Sequence, residues 1–192
     1  MYNSNKELII MKVLVTAFKP FNKLINNYSM EVIKHLNNVD KIIIDVNYDE
    51  CYLEVTNKFN LSEYDLIVAM GEARMRDELT LEIQAKNISS CSLPDNKGII
   101  KKDEVIIEDS LEILRTSINI ESMEKYIKLS TDAGKFVCNN LYYHLLYDFP
   151  GKSLFIHIPN CHDLEEEYIR CADSITQIIN VLYSQIQMKG EV

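Results

Sequence analysis

Four short runs of branched apolar residues limit what this chain can become. Lys12–Phe18 (KVLVTAF), Lys41–Val46 (KIIIDV), Asp65–Met70 (DLIVAM) and Ser153–Ile158 (SLFIHI) each have the length and composition of a buried strand. Segments with helical spacing lie between and after them. Ser29–Leu36 places Met30, Val32, Ile33 and Leu36 on one side, and Asp49–Phe59 reads as a second helix. Lys135–Tyr147 carries a stripe of Phe136, Val137, Leu141, Tyr142 and Leu145 and ends at Pro150 and Gly151. Leu164–Gln187 is a long amphipathic helix with Ile169, Ala172, Ile175, Ile179 and Leu182 expected inward. Strands alternating with helices of this length specify an α/β layered fold around a largely parallel sheet. The 192 residues suit one domain, 1–192, able to bury its core without disulfides or metal.

The middle departs from this alternation. Leu79–Leu93 has no helical period, Pro94–Gly98 (PDNKG) is a strong turn, and Glu104–Glu108 and Leu111–Ile118 read as extended pieces. Together they predict a hairpin-like excursion from the sheet. A helix is expected near Ser122–Tyr126, followed by an extended Ile127–Ser130.

Composition excludes several function classes. A net charge of −9 with scattered basic residues argues against nucleic acid, whose phosphates need a concentrated basic face. The small cluster of Arg74 and Arg76 is interleaved with acids. The apolar runs are too short to cross a bilayer, so no membrane is expected. Residues 1–11 show neither a long apolar stretch nor a small-residue cleavage site, so they read as a short polar extension and the protein as cytoplasmic. The five cysteines include no CxxC pair and are expected to be reduced, which also weakens a thiol redox function.

Chemistry is concentrated in Ser130–Asn140 (STDAGKFVCNN). Cys138 falls in the first turn of a helix just after a glycine. Unpaired amides and the helix dipole there favour the thiolate and could hold an oxyanion. On position alone, a buried helix cysteine facing the sheet is the commoner outcome. His157 stands near the end of the strand that follows this helix, so strand end and helix start can meet at one edge, as a Cys–His nucleophile pair requires. Glu82 lies among Leu81 and Ile83; the pattern alone places it on a solvated strand face, although it could instead orient an imidazolium. His35, His144 and His162 are weaker candidates, and Cys161-His162 beside His157 is too irregular for a zinc site.

Five stretches resemble the pyroglutamyl peptidase I (pyrrolidone-carboxylate peptidase) family, in family order: Val13–Phe21 (VLVTAFKPF), Leu79–Ile88, Pro94–Gly98, Ala133–Asn139 (AGKFVCN) and Phe155–Pro159 (FIHIP). The resemblance implies a three-layer α/β/α sandwich with a mixed, mostly parallel sheet. It also implies a cysteine peptidase, free of metal and cofactor, that removes an N-terminal pyroglutamyl residue by thioester acyl transfer. Its substrates would be N-terminally blocked peptides, and a homo-oligomer, dimer or tetramer, is expected. Carried over, the nucleophile is Cys138, the base His157 and the acid Glu82. The substrate-binding set is Phe21, Phe136, Phe18, Glu72 and Asn27, the lactam ring lying between Phe21 and Phe136. This sequence departs from the family pattern around the pocket. Ala17 replaces a glycine, Asn22-Lys23 replaces a glycine pair, Gly71–Arg76 (GEARMR) replaces a glycine-rich GQAGGR segment, and Ser92 replaces an arginine. A non-catalytic or specificity-shifted binding module on the same fold is the alternative.

Overall fold

In the computed structural model the described residues are 11–120 and 123–189. Eight strands and four α-helices are present: β1 Val13–Phe18, α1 Tyr28–His35, β2 Asp40–Ile44, α2 Cys51–Lys58, β3 Leu66–Glu72, β4 Thr80–Glu82, β5 Gln84–Lys86, β6 Ile113–Arg115, β7 Lys128–Ser130, α3 Val137–Asp148, β8 Ser153–Ile158 and α4 Glu165–Lys189. Six strands form one sheet in the order β2-β1-β3-β8-β4-β7, and β5 pairs with β6 in a separate antiparallel ribbon. All neighbours in the large sheet are parallel except β8 and β4. The sheet is therefore mixed and mostly parallel, and the ribbon is the excursion anticipated in the middle of the chain.

Side-chain alternation builds the layers. Val13, Val15 and Ala17 of β1, Leu66, Val68 and Met70 of β3, and Leu154, Ile156 and Ile158 of β8 meet α1 and α4 on one face. Leu14 and Phe18, Ile67 and Ala69, and Phe155 turn to α2 and α3 on the other. Apolar burial on both faces makes these strands read as continuous hydrophobic runs. The second face also carries polar positions, because Thr16, Gly71, Glu82 and His157 share its alternation with those apolar residues.

Several expectations are corrected. Ile169 is 43% exposed and Ile179 is half-buried; the inward row of α4 is Tyr168, Cys171, Ala172, Ile175, Ile178 and Leu182. Ala172, Ile175 and Leu182 point inward as expected, whereas Ile169 and Ile179 lie one step off the buried neighbours Tyr168 and Ile178. Residues 104–108 form no strand; a single bridge joins Glu104 to Ser89, and Asn87 takes the amides of Ile106 and Ile107 on its side-chain oxygen, which curls the segment. The helix expected near Ser122–Tyr126 is one 3₁₀ turn, Met123–Lys125, and Ser122 lies outside the described residues. Phe136 belongs to the N-cap of α3 rather than to its stripe. Of the expected extension 1–11, residues 1–10 lie outside the described residues, while Met11 is buried against the core.

The Asn22-Lys23 pair adopts a backbone that suits glycine. Its φ angles are 51° and 61°, the left-handed region. Asparagine tolerates that region, whereas lysine is strained there by about 1 kcal/mol or more. Glycine would remove the strain but lose more chain entropy on folding. Lys23→Gly should therefore give a net gain of about 0.5–1 kcal/mol, read as a rise in Tm of about 1–4 °C for a chain of this size. A fall in Tm would show that the Lys23 side chain makes compensating contacts.

Candidate active site

Helix α3 starts where the chain has just turned through Gly134, at φ 79°, and passed an extended Phe136. No side chain caps it, so the amides of its first turn are not taken up by a capping group. Cys138 is its second residue. Asn139 fastens the helix to the ribbon: its side chain accepts from Lys86 N and donates to the carbonyls of Lys86 and Ile88. Tyr142, one turn further on, donates from its hydroxyl to Glu82 O at 2.8 Å. The helix bearing the thiol is thus tied directly to β4 and β5.

The sheet supplies the other two groups. Gly71 of β3 and His157 of β8 are register partners near the carboxyl ends of parallel strands, so their side-chain positions point to the same face. The Cys138 sulfur lies over Gly71, 2.6 Å from where a Cβ on that residue would stand. Gly71 is required for space, since a methyl group would overlap the sulfur and touch the Phe155 ring at 3.0 Å. The imidazole of His157 packs on Phe155, with ring centroids 4.9 Å apart. Its Nδ1 lies 2.8 Å from Glu82 Oε1. Glu82 projects from β4 opposite Phe155 in the antiparallel ladder. Its full burial (0% exposed) corrects the pattern-based expectation of a solvated strand face. A three-residue strand between covered neighbours leaves no outer face to the solvent, and polar partners hold the carboxylate.

Those partners set the protonation states. Burial works to raise the Glu82 carboxyl, but the hydrogen bond and charge of His157, with Arg76, outweigh it and hold the group below the usual carboxylate range. Burial lowers His157 below its ordinary value; the Glu82 carboxylate opposes this and Arg76 reinforces it. Burial pushes the Cys138 thiol up to about 12, with the carboxylates of Glu82 and Glu72 adding to the rise. The expectation of a thiolate stabilised at the helix entrance is thereby corrected. Desolvation and the Glu82 and Glu72 carboxylates thus favour a neutral thiol at Cys138, and desolvation favours a neutral imidazole at His157.

The expected substrate-binding residues divide into two groups. Phe21 and Phe136 meet at a centroid distance of 5.6 Å, and Tyr48 packs edge-on against Phe136 at 5.3 Å. A flat ring sandwiched between two others needs about 7 Å between their centroids, so this slot is closed by direct ring contact. Phe18 is buried behind it in the same cluster. Asn27 and Glu72 are engaged elsewhere. Asn27 caps α1 by accepting from Ser29 N and Ser29 Oγ and donates to Lys19 O. Glu72 accepts from Tyr28 N at 2.7 Å and pairs with Arg74 at 2.6 Å, and that guanidinium lies over the Tyr28 ring. The Glu72 carboxylate is thus paired within the loop. Tyr48, Gly71, Arg76 and Asn139 were not chosen from sequence as site residues, although Gly71 and Arg76 bound the segment that departs from the family pattern. Among the described residues no three His, Cys, Asp or Glu side chains group as metal ligands would, and no helix is long and apolar enough to cross a membrane.

A family model described as pyroglutamyl peptidase matches residues 11–176. The chain belongs to the pyroglutamyl peptidase family. It is 35% identical to a pyrrolidone-carboxylate peptidase of Thermosipho africanus, over 78% of this chain and 82% of that one. A pyrrolidone-carboxylate peptidase of Thermosipho melanesiensis is 32% identical, over 92% and 97% respectively. Among solved structures, a pyrrolidone carboxyl peptidase from Fervidobacterium islandicum AW-1 superposes with a TM-score of 0.78 at 25% identity, covering 91% of this chain and 99% of that one. As a pyroglutamyl peptidase the protein is a cysteine peptidase, a hydrolase.

Proposed function

We infer that this protein releases an N-terminal pyroglutamyl residue from peptides, with Cys138 as nucleophile, His157 as proton carrier and Glu82 as its orienting carboxylate. The observation that carries the reading is the Glu82–His157 bond at 2.8 Å on the sheet face where the Cys138 sulfur lies over Gly71. A histidine whose Nδ1 donates to a carboxylate leaves Nε2 free to accept a proton. Sγ attacks the carbonyl carbon of the scissile amide as its proton passes to Nε2, and the first-turn amides of α3 face the developing oxyanion. Collapse breaks the C–N bond, the imidazolium returns the proton to the departing amine, and a thioester remains. Water activated by the same imidazole then hydrolyses that thioester and frees the thiol.

The lactam must part the Phe21 and Phe136 rings on binding, which places an induced fit ahead of chemistry. Because the reaction starts from a neutral pair, kcat/KM for a pyroglutamyl fluorogenic amide should depend on His157 being unprotonated. The rate should rise below pH 6.5, the ordinary histidine value, and then hold a plateau through mild alkali. A profile that keeps rising to pH 9 would instead indicate a pre-ionised thiolate as the limiting species. Complete absence of turnover with pyroglutamyl amides would favour the binding-module alternative, which the closed ring slot supports. The expected setting is the cytoplasm, where five unpaired cysteines suit a reducing milieu. The expected assembly is a homo-oligomer of single-domain subunits.

A further inference from the structure

We propose that Arg76 is a positioning residue of this reaction, whose guanidinium clamps Glu82 so that a single carboxylate oxygen is presented to His157. The proposal rests on the assignment of Glu82 and His157 made above. Arg76 Nη1 donates to Glu82 Oε1 at 2.5 Å, the oxygen that also bonds His157 Nδ1 at 2.8 Å. The same nitrogen reaches Thr80 Oγ1 on β4, and Nη2 donates to Asp132 O at 2.8 Å in the turn that leads to Cys138. The backbone of Arg76 is held as well. Its carbonyl accepts from Asn160 N just beyond β8, and its amide bonds Ala73 O, while Ala73 N bonds Ile158 O at the end of β8. One side chain therefore touches β4 and the entry to α3, and its loop is stitched to the strand of His157.

This arrangement does what neither the fold nor the histidine alone can do. The terminal torsion of a glutamate is soft and roughly two-fold. A single imidazole bond would let the carboxylate turn about that torsion, whereas a second, charge-assisted donor on the same oxygen fixes it. The guanidinium also acts along the reaction. It disfavours a resting imidazolium, which keeps Nε2 available to the thiol. Once the imidazolium has formed, it makes that cation a better acid toward the departing amine. Other groups also face His157. Glu82 comes from β4 and Asp132 from the turn before α3, and the Phe155 ring covers one side. Of these neighbours Arg76 is the cation.

The test compares Arg76→Met, which keeps length and loses charge, with Arg76→Lys. For Arg76→Met on a pyroglutamyl amide, kcat should fall about tenfold to a hundredfold with KM within about threefold. The low-pH limb of the rate profile should move to higher pH. Arg76→Lys should restore the limb and part of kcat. The readout that needs no substrate is the histidine titration followed by NMR, with His157→Asn identifying the signal. The His157 midpoint should rise in Arg76→Met and return toward the native value in Arg76→Lys. If both variants lose activity equally and melt earlier, with His157 titrating as in the native protein, Arg76 is merely structural and the proposal fails. A change in KM alone would make it a substrate contact, which also overturns the proposal. Should the native protein turn over no pyroglutamyl amide, the functional reading fails, while the NMR midpoints still decide the role of Arg76.

Discussion

Cys138→Ala should lower kcat for a pyroglutamyl amide by about 10⁴-fold or more, because it removes the sulfur that lies over Gly71, the register partner of His157. The fold should survive. The sulfur is enclosed rather than bonded into the frame, and α3 is held to the ribbon and to β4 by Asn139 and Tyr142. Substrate should still bind, since the phenylalanines that would sandwich the lactam are untouched. The measurement is steady-state kinetics alongside ligand binding by calorimetry. Residual turnover within tenfold of the native rate would remove Cys138 from the role of nucleophile.

Gly71→Ala should be the second most damaging change, although residue 71 carries no chemistry. The added methyl would sit 2.6 Å from the Cys138 sulfur and 3.0 Å from the Phe155 ring. Such overlaps in a packed interior force side chains off their rotamers and cost about 1–3 kcal/mol. Displacing a nucleophile by about 1 Å costs about a hundredfold in rate. We therefore expect lower thermal stability together with a drop in kcat near two orders of magnitude. Part of the stability loss should disappear when Gly71→Ala is combined with Cys138→Ala, because the sulfur is one of the two clashing groups. Full additivity of the two substitutions would show that the sulfur does not lie over residue 71.

Much of this architecture could be read in the sequence, and the reasons are local. KVLVTAF, DLIVAM and SLFIHI are apolar on both faces because helices cover both faces, and a compact, branched apolar run of strand length identifies such strands. The first-turn placement of Cys138 followed from Gly134 and the helical stripe that comes after it. The carboxylate could not be found that way. Glu82 lies in a strand of three residues, too short to show which face is covered, and its main partner, His157, is distant in sequence, while Arg76 reaches it from the loop just before β4. The family resemblance, not the pattern, pointed to it. The ionisation state was misjudged for a related reason. Position in a helix is visible in sequence, whereas the desolvation and the two carboxylates that raise the Cys138 thiol arise only from packing. Substituted loop residues were equally opaque. Glu72 reads as a charge open to the pocket, yet Arg74 pairs with it and the amide of Tyr28 donates to it.

The most direct measurement of the central claim is mapping of a trapped acyl-enzyme. The protein would be mixed with a pyroglutamyl thioester or active amide, quenched in acid within the first turnover, digested and analysed by mass spectrometry. The pyroglutamyl acyl mass should appear on the peptide carrying Cys138 and on no other cysteine peptide, and it should be lost in Cys138→Ala. Turnover with no acyl group on Cys138, or with the group on Cys51, Cys91, Cys161 or Cys171 instead, would contradict the account.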